Sequence, residues 1–392
     1  MRILVCALEA PLPPLNGFRL QIVHLCRQLA KRHEVTVVAY RWPGQTGGPD
    51  EGVELIEIEP PARGLAAKLR TLVEATLRGE PAAARLLQPR MTAAVRAVLA
   101  TRSFDVAHVT SGANAGVLPA LGSTPAVLAA LDAWHLNVAA RARLAPAHLR
   151  PAYRLQERQV RRFVAKRYGA FASVVTVTEE DAAALREVDP GLRLHAVPNG
   201  VDTTEFAPDG TAAAEPGHLV FTGAMHYAPN VSAARFLAEQ VLPRVRAVMQ
   251  GARLSIVGRD PSAEVRALEA LEGVHVTGEV PDMPGWLRRA EVYACPMISG
   301  TGIKNKLLEA LACGVPSVTT PLGCQGLEVT PGEQLLVADG EEAFAEAIVG
   351  ALGDAELRAR LGKAGRDFVV ERHAWSGVAD AYERIYERAA AS

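Results

Sequence analysis

The chain has 392 residues, 49% hydrophobic and 22% charged, which are proportions of an ordinary folded protein and exclude disorder and collagen-like repeats. Its length suits two domains rather than one core. With 42 Lys and Arg against 43 Asp and Glu the net charge is −1, so no global field recruits nucleic acid and any charged partner must be met locally.

Short β-rich runs alternate with helical patterns from one end to the other. The first strand expected is Ile3–Leu8, followed by Pro11-Leu-Pro-Pro-Leu-Asn16-Gly17 and a helix over Leu20–Arg32. A glycine-containing turn after a first strand can approach a phosphate, which makes Asn16 and Gly17 candidates, although no G-x-G-x-x-G and no Walker lysine is present. Taken alone, Asn16-Gly17 is equally a plain turn. Met1–Leu8 carries one positive charge and an apolar run too short for a signal peptide. Strands are expected next at Val35–Tyr40, Val53–Ile58, Asp105–Val109 and Ala126–Leu131. The uncharged stretch Val106–Leu131 is long enough for a bilayer, but its Gly, Pro, Ser and Asn residues break it into strand, loop, short helix and strand.

Leu131-Asp132-Ala133-Trp134-His135 lies at a strand's carboxyl end. An acid and an imidazole three residues apart there can orient a sugar hydroxyl or act as base, so Asp132 and His135 are the candidate catalytic residues. Asp132 can equally cap the following helix, and His135 can be structural. His108, closing the neighbouring strand, is a weaker candidate of the same kind. From Arg141 to Arg167 nine basic residues face Glu157 alone, with Leu155, Val160, Phe163 and Val164 forming an apolar side. This basic amphipathic helix either lies on an anionic membrane or an acidic acceptor, or packs on its own sheet with its charges solvated. The first array closes with strands at Val174–Val177 and Leu194–Val197.

Val197-Pro-Asn-Gly-Val201 marks the domain boundary, and strands follow at Leu219–Thr222, Leu254–Val257, Val274–Thr277, Val292–Cys295, Ser317–Thr319 and Leu335–Ala338. Helical periods lie at Ala233–Met249, Val265–Leu271, Lys306–Cys313, Ala343–Leu352 and Trp375–Ala389. Strands alternating with helices mean parallel sheets covered on both faces. The expectation is an α/β chain of two Rossmann-like, doubly wound domains facing across a cleft. Ligands in such folds sit beyond the strands' carboxyl ends.

The sharpest motif follows the strand Val292–Cys295, at Ser299-Gly300-Thr301-Gly302-Ile303-Lys304-Asn305-Lys306, and runs into a helix closed by Gly314, which adopts a left-handed cap easily. Glycines admit a ligand close to the backbone, and a helix amino end favours anions. Two lysines there oppose the helix dipole, which points to a bound anion, a phosphate. The plain alternative is a solvated helix start with Lys306 paired to Glu309. Glu309, amid Leu307, Leu308 and Leu311, can instead accept hydrogen bonds from a vicinal diol such as ribose. In the loop Gly223-Ala-Met-His226-Tyr-Ala-Pro-Asn230, His226 is the titratable group that can meet a ligand and Asn230 reads as a helix cap. Five cysteines (Cys6, Cys26, Cys295, Cys313 and Cys324), an odd number in apolar surroundings, read as buried thiols in a reducing, cytoplasmic compartment.

Together these segments resemble the GT-B glycosyltransferases, and most of all the retaining family 4. Pro11–Gly17 with Leu29-Ala-Lys-Arg-His-Glu-Val-Thr-Val-Val38 resembles the family's first βαβ unit. Thr176-Val-Thr-Glu-Glu-Asp181 resembles the end of the first domain's core, and Val197-Pro-Asn-Gly-Val-Asp202 with Phe206 the hinge. Phe221–Asn230 is similar to a subgroup in which Gly-x-Met and Pro-Asn replace the usual glycine-arginine start. Relatives with an arginine and a lysine there use them on the diphosphate, so Lys304 and Lys306 are the substitutes. Ile303–Gly314 resembles the two-glutamate signature with only Glu309 retained, Thr301 standing where the first falls.

The resemblance implies an acceptor-side domain over 1–198 plus the helix 375–392, which crosses back onto it, and a nucleotide-sugar donor domain over 199–374. It places Glu309 near the ribose, Lys304 and Lys306 near the diphosphate with Gly223, His226 and the Gly300–Ile303 loop around it, and Asn16-Gly17 closing over the donor. Gly258-Arg259 and Gly278–Val280 border the base, while Asp132 and His135 face the sugar and acceptor. The implied activity is transfer of a sugar, with retention, from a nucleotide-diphosphate sugar to a glycan, glycolipid or small-molecule hydroxyl. No D-x-D pair announces a metal, so no metal or other cofactor is expected. A nucleotide-sugar epimerase and a non-catalytic nucleotide-sugar-binding protein of the same fold remain as alternatives.

Overall fold

A computed structural model describes the chain except residues 14–16, 44, 46–51, 62–63, 211–213, 300–301 and 392, and the side chains of 65–70, 72 and 144. Two compact units divide it: Met1–Pro198 with Val378–Ser392, and Asn199–Gly377.

The first unit is built on a seven-stranded sheet of β1 (Arg2–Ala7), β2 (Glu34–Tyr40), β3 (Val53–Ile58), β4 (Val106–Thr110), β5 (Ala126–Leu131), β6 (Ser173–Thr176) and β7 (Leu194–Ala196), ordered β3-β2-β1-β4-β5-β6-β7. Every pairing is parallel, with Ile3 opposite both Val35 and Val106. Residues 3–7 of β1 and all of β4 are buried, which is why β1 is a continuous apolar run after Arg2 rather than an alternating one. The chain leaves β1 toward β2 and β3 and returns on the other side at β4, so the switch point lies between β1 and β4. There the Cys6 carbonyl accepts from Thr110 Oγ1 (3.2 Å) and Asn114 Nδ2 (3.0 Å). Ser111 and Leu131, at the ends of β4 and β5, hold φ of +68° and +69°, a conformation that non-glycine residues take at a cost.

The long uncharged stretch resolves into β4, the 3-10 segment Gly112–Ala120 and β5. Among the described residues no helix is long and apolar enough to cross a membrane. The basic stretch 141–167 is not one helix. Trp134–Leu144 and Arg150–Arg167 are separate, with Pro146 between them, a residue that cannot continue the hydrogen-bond ladder. Gln159, Val160, Phe163 and Val164 form the buried face, while Leu155 is exposed.

The helix Trp375–Ala390 belongs to the first unit from Val378 onward. Val378, Tyr382, Ile385, Tyr386 and Ala389 are buried at helical spacing, and Asp380 and Glu383 pair with Arg32. His108 is held there too. Its Nδ1 and Tyr386 Oη are hydrogen-bonded at 2.6 Å, the Tyr382 ring lies on its edge, and burial pulls its pKa down to about 4. His108 is therefore a neutral packing residue and not an acid–base candidate.

The second unit has a six-stranded parallel sheet of β8 (His218–Thr222), β9 (Arg253–Val257), β10 (Val274–Gly278), β11 (Val292–Cys295), β12 (Ser317–Thr319) and β13 (Leu336–Val337), ordered β10-β9-β8-β11-β12-β13. The helix expected from Ala233 begins earlier, at Ala228. It passes through a π turn, Phe236–Val241, into Leu242–Val248. Pro243 lacks the donor that a regular α ladder needs, and the wider turn just before it absorbs the defect. Helix Asn305–Ala312 buries Leu307, Leu308 and Leu311 and ends at Gly314 with φ +72°.

Candidate functional site

In the second unit β8 and β11 are neighbours, and their carboxyl ends carry the candidate anion site. Lys304 is the N-cap of helix Asn305–Ala312 and Lys306 lies in its first turn. Lys304 is buried, its Nζ donates to the Gly302 carbonyl at 2.5 Å, and burial lowers its pKa. Lys306 is partly buried. Its Nζ donates to Asn230 Oδ1, lies 4.8 Å from the Phe221 ring centre and 3.9 Å from Met297 Sδ. Burial pulls Lys306 down to about 8, partly offset by Cys295 and Glu309.

The pairing of Lys306 with Glu309 considered from sequence does not form; the ammonium turns to Asn230 instead. The Glu309 carboxyl, one turn further along, has no hydrogen bond or ion pair among the described residues, and burial, opposed by the Lys306 charge and assisted by Glu205, pushes it up to about 7. The ionised form is destabilised until a donor reaches it. Gly223, just after β8, has φ +156°, and a Cβ there would stand 2.7 Å from Asn230 Nδ2 and 2.8 Å from Lys306 Nζ. A side chain there would push the lysine or the asparagine aside. Beside it the ends of β8 and β9 nearly touch: a Cβ on Gly258 would lie 1.8 Å from the Gly223 carbonyl oxygen.

His226 is exposed, with Nδ1 3.6 Å from Asp260 Oδ2, and Arg259 Nη1 reaches the same carboxylate at 3.1 Å. Val280 lies two residues beyond β10, partly buried. Gly302 is exposed with φ +74°, and Ile303 is buried. Gly300 and Thr301, like Asn16, lie outside the described residues. Asn230 does not cap its helix: Tyr227 occupies the N-cap, and the Asn230 side chain bridges Lys306 and the Ala224 carbonyl. This role was not visible in sequence, where the one hint was Gly223 preceding a Pro-Asn pair.

In the first unit, Gly17 opens the helix Gly17–Ala30, where Arg19 is paired with Glu9 at 2.5 Å. Asp132 is partly buried and accepts from Asn137 Nδ2 at 2.6 Å, while Ala133 is the N-cap of the following helix, so Asp132 does not cap it. Burial, and after it the Asp181 carboxylate, raise Asp132 to about 6. His135 is fully buried with neither ring nitrogen hydrogen-bonded among the described residues, and burial lowers its pKa. Among the described residues no three His, Cys, Asp or Glu side chains gather as a metal site.

Two doubly wound parallel-sheet units, one presenting lysines at its strand ends, define a GT-B protein. Residues 15–205 match the family profile described as Glycosyltransferase Family 4, and residues 216–354 that described as Glycosyl transferases group 1. The chain belongs to this group of glycosyltransferases. It is 31% identical over 204 residues to a phosphatidyl-myo-inositol mannosyltransferase of Mycobacterium leprae, a match covering 50% of this chain and 54% of that protein. It is 29% identical over 240 residues to a GDP-mannose-dependent alpha-(1-6)-phosphatidylinositol monomannoside mannosyltransferase of Mycolicibacterium smegmatis, covering 55% and 62%. The matches thus span under two thirds of these relatives. The solved structure of a sucrose-phosphate synthase from Thermosynechococcus elongatus superposes over 100% of both chains with a TM-score of 0.75 at 17% identity, a likeness of fold.

Proposed function

We propose that this protein transfers a sugar from a nucleotide-diphosphate sugar to a hydroxyl of a glycan, glycolipid or small molecule, with retention at the anomeric carbon. The carrying observation is the Lys306 ammonium, partly buried at the ends of β8 and β11, held by a neutral amide and not by a carboxylate. A cation kept in that state retains its charge for an anionic ligand.

As the sugar–phosphate bond breaks, negative charge grows on the leaving diphosphate, and Lys306 and Lys304 are placed to stabilise it. Glu309, whose carboxyl has no donor among the described residues, accepts from the ribose hydroxyls. The phosphate oxygen that leaves takes the acceptor hydroxyl's proton while that hydroxyl's oxygen bonds the anomeric carbon, so the second unit supplies no separate base. In the first unit Asp132, less enclosed than His135, is the proposed contact for acceptor or sugar. The reaction is proposed to need no metal, which full turnover in a chelator tests.

One mycobacterial relative is named as a phosphatidyl-myo-inositol mannosyltransferase and the other as a GDP-mannose-dependent alpha-(1-6)-phosphatidylinositol monomannoside mannosyltransferase, names that support this class of donor and make a lipid-linked acceptor the first to try. Exposed Leu149 and Leu155 among the arginines of 141–167 favour peripheral contact with an anionic membrane. Five free cysteines accord with a reducing, cytoplasmic location. The test is a panel of nucleotide sugars read by thermal stabilisation and slow hydrolysis, with Lys304→Ala and Glu309→Ala alongside. Undiminished donor binding by both variants refutes the site, and conversion of the donor's sugar to an epimer with the nucleotide-diphosphate linkage intact supports an epimerase instead. Retention of vesicle binding after charge reversal at Arg158, Arg161 and Arg162 refutes the electrostatic membrane contact.

A further inference from the structure

The geometry points to Asn230 as the positioning residue that aims Lys306 at the leaving diphosphate while leaving its charge uncancelled. The inference rests on the reading of Lys306 given above.

Asn230 is 5% exposed, in the first turn of the helix Ala228–Arg235. Its Nδ2 donates to the Ala224 carbonyl at 2.9 Å and its Oδ1 accepts from Lys306 Nζ. The orientation of the amide is unambiguous, because a backbone carbonyl only accepts and an ammonium only donates. The loop after β8 therefore fixes the amide, and the amide fixes the lysine. The Phe221 face and Met297 Sδ bound the ammonium on other sides, and the missing side chain at Gly223 provides the space in which the two polar groups meet. An ammonium has three donors. One is spent on Asn230 and the thioether contact is weak, so hydrogen-bonding capacity is left for an oxyanion.

The chemical choice of an amide matters as much as its place. An aspartate here would make an ion pair and neutralise the cation before any ligand arrived; an alanine would free the four-carbon stem to wander. The titratable groups facing Lys306 are Lys304 and Glu309 on its own segment and Cys295 on β11. None of them forms an ion pair with it.

A double-mutant cycle on the full-length protein tests this, using the nucleotide-diphosphate sugar that stabilises the parent in the panel, with Kd by calorimetry and kcat and KM by turnover. Asn230→Ala is expected to weaken donor binding roughly tenfold, the scale of one lost charge-assisted hydrogen bond, yet to cost nothing further in a Lys306→Ala background. Asn230→Asp, nearly isosteric and so the variant that guards against misfolding, is expected to weaken binding more than Asn230→Ala and to move the alkaline limb of binding upward by about one pH unit. A merely structural Asn230 would lower melting temperature in both backgrounds and leave that limb in place. Additive losses across the cycle, or parent-like affinity in Asn230→Ala with Lys306→Ala impaired, overturn the inference alone. Parent-like affinity in Lys306→Ala overturns the reading of the site with it.

Discussion

Donor affinity should fall as pH rises through the range in which Lys306 loses its proton, and the structure sets both the onset and the size of that fall. In the free protein the Lys306 pKa is about 8, lowered by burial. An anionic diphosphate favours the charged form, so binding raises that pKa, and affinity drops tenfold per pH unit between the free and the bound values. A hydrogen bond to a charged group contributes about 1.5–3 kcal/mol, and at about 1.4 kcal/mol per pKa unit this lifts the bound value by roughly one to two units. The Lys306 contribution to affinity is therefore constant just below pH 8, declines above it, and levels after a total loss of about tenfold to a hundredfold. Calorimetry with an intact nucleotide-diphosphate sugar at pH 7–10, in buffers of differing ionisation heat, reads the affinity and the proton taken up on binding together. Lys306→Arg keeps its charge throughout, since a guanidinium does not titrate in this range, and should lose the alkaline limb. A flat affinity from pH 7 to 10 in the parent, or an unchanged limb in Lys306→Arg, would refute the assignment of the diphosphate to Lys306.

The other expectations are smaller experiments. Glu309 has a folded pKa of about 7, above the usual carboxylate value, so its contribution to stability is complete below about pH 4.5 and is lost as pH rises through about 7. Glu309→Gln should flatten the melting temperature against pH between 5 and 8 and weaken donor binding; an unaltered pH profile would contradict the burial argument. In Gly223→Ala the new Cβ meets the ends of two flexible side chains, so the fold survives with about 1–3 kcal/mol of backbone strain, while the displaced ammonium costs donor affinity about tenfold. Parent-like binding by a folded Gly223→Ala protein would show that the contact is dispensable. Tyr168 Oη is buried without a hydrogen-bond partner among the described residues, and removing an unsatisfied hydroxyl recovers about 1–2 kcal/mol. Tyr168→Phe should thus be neutral or stabilising by denaturant melt, and a clear loss of stability would reveal a partner for the hydroxyl.

The inner strands were legible because parallel strands buried on both faces must be largely apolar, and Ala126–Leu131 and Val292–Cys295 are found within the bounds that pattern predicts. Val53–Ile58, at the sheet edge with Glu54 exposed, was legible from its β-branched residues instead. Lys306 and Glu309 were legible as charges set into an otherwise apolar helix after a glycine-rich loop. What the lysine touches was not. Asn230 is 76 positions away, and locally it obeys the pattern of a helix cap, so its contact exists only once β8 and β11 lie side by side. His108 failed as a candidate for a similar reason, its partners Tyr382 and Tyr386 arriving from the far end of the chain. The basic segment misled differently: its charge is continuous but its backbone is broken at Ala145–Leu149, and Leu155, which fits the apolar period, is left facing solvent.

The placement of Val378–Ser392 with the first unit has a consequence in time. During synthesis the opening strands emerge first, yet the surface around His108 stays uncovered until Tyr382 and Tyr386 have been made, after the whole of the second unit. That second unit, Asn199–Gly377, is uninterrupted and can close as soon as it leaves the ribosome, whereas the first must wait with apolar surface open. An expressed fragment ending at Pro198 should therefore be less stable than the same fragment supplied with a peptide of residues 375–392. The order in which the two units complete is thus the reverse of the order in which they begin.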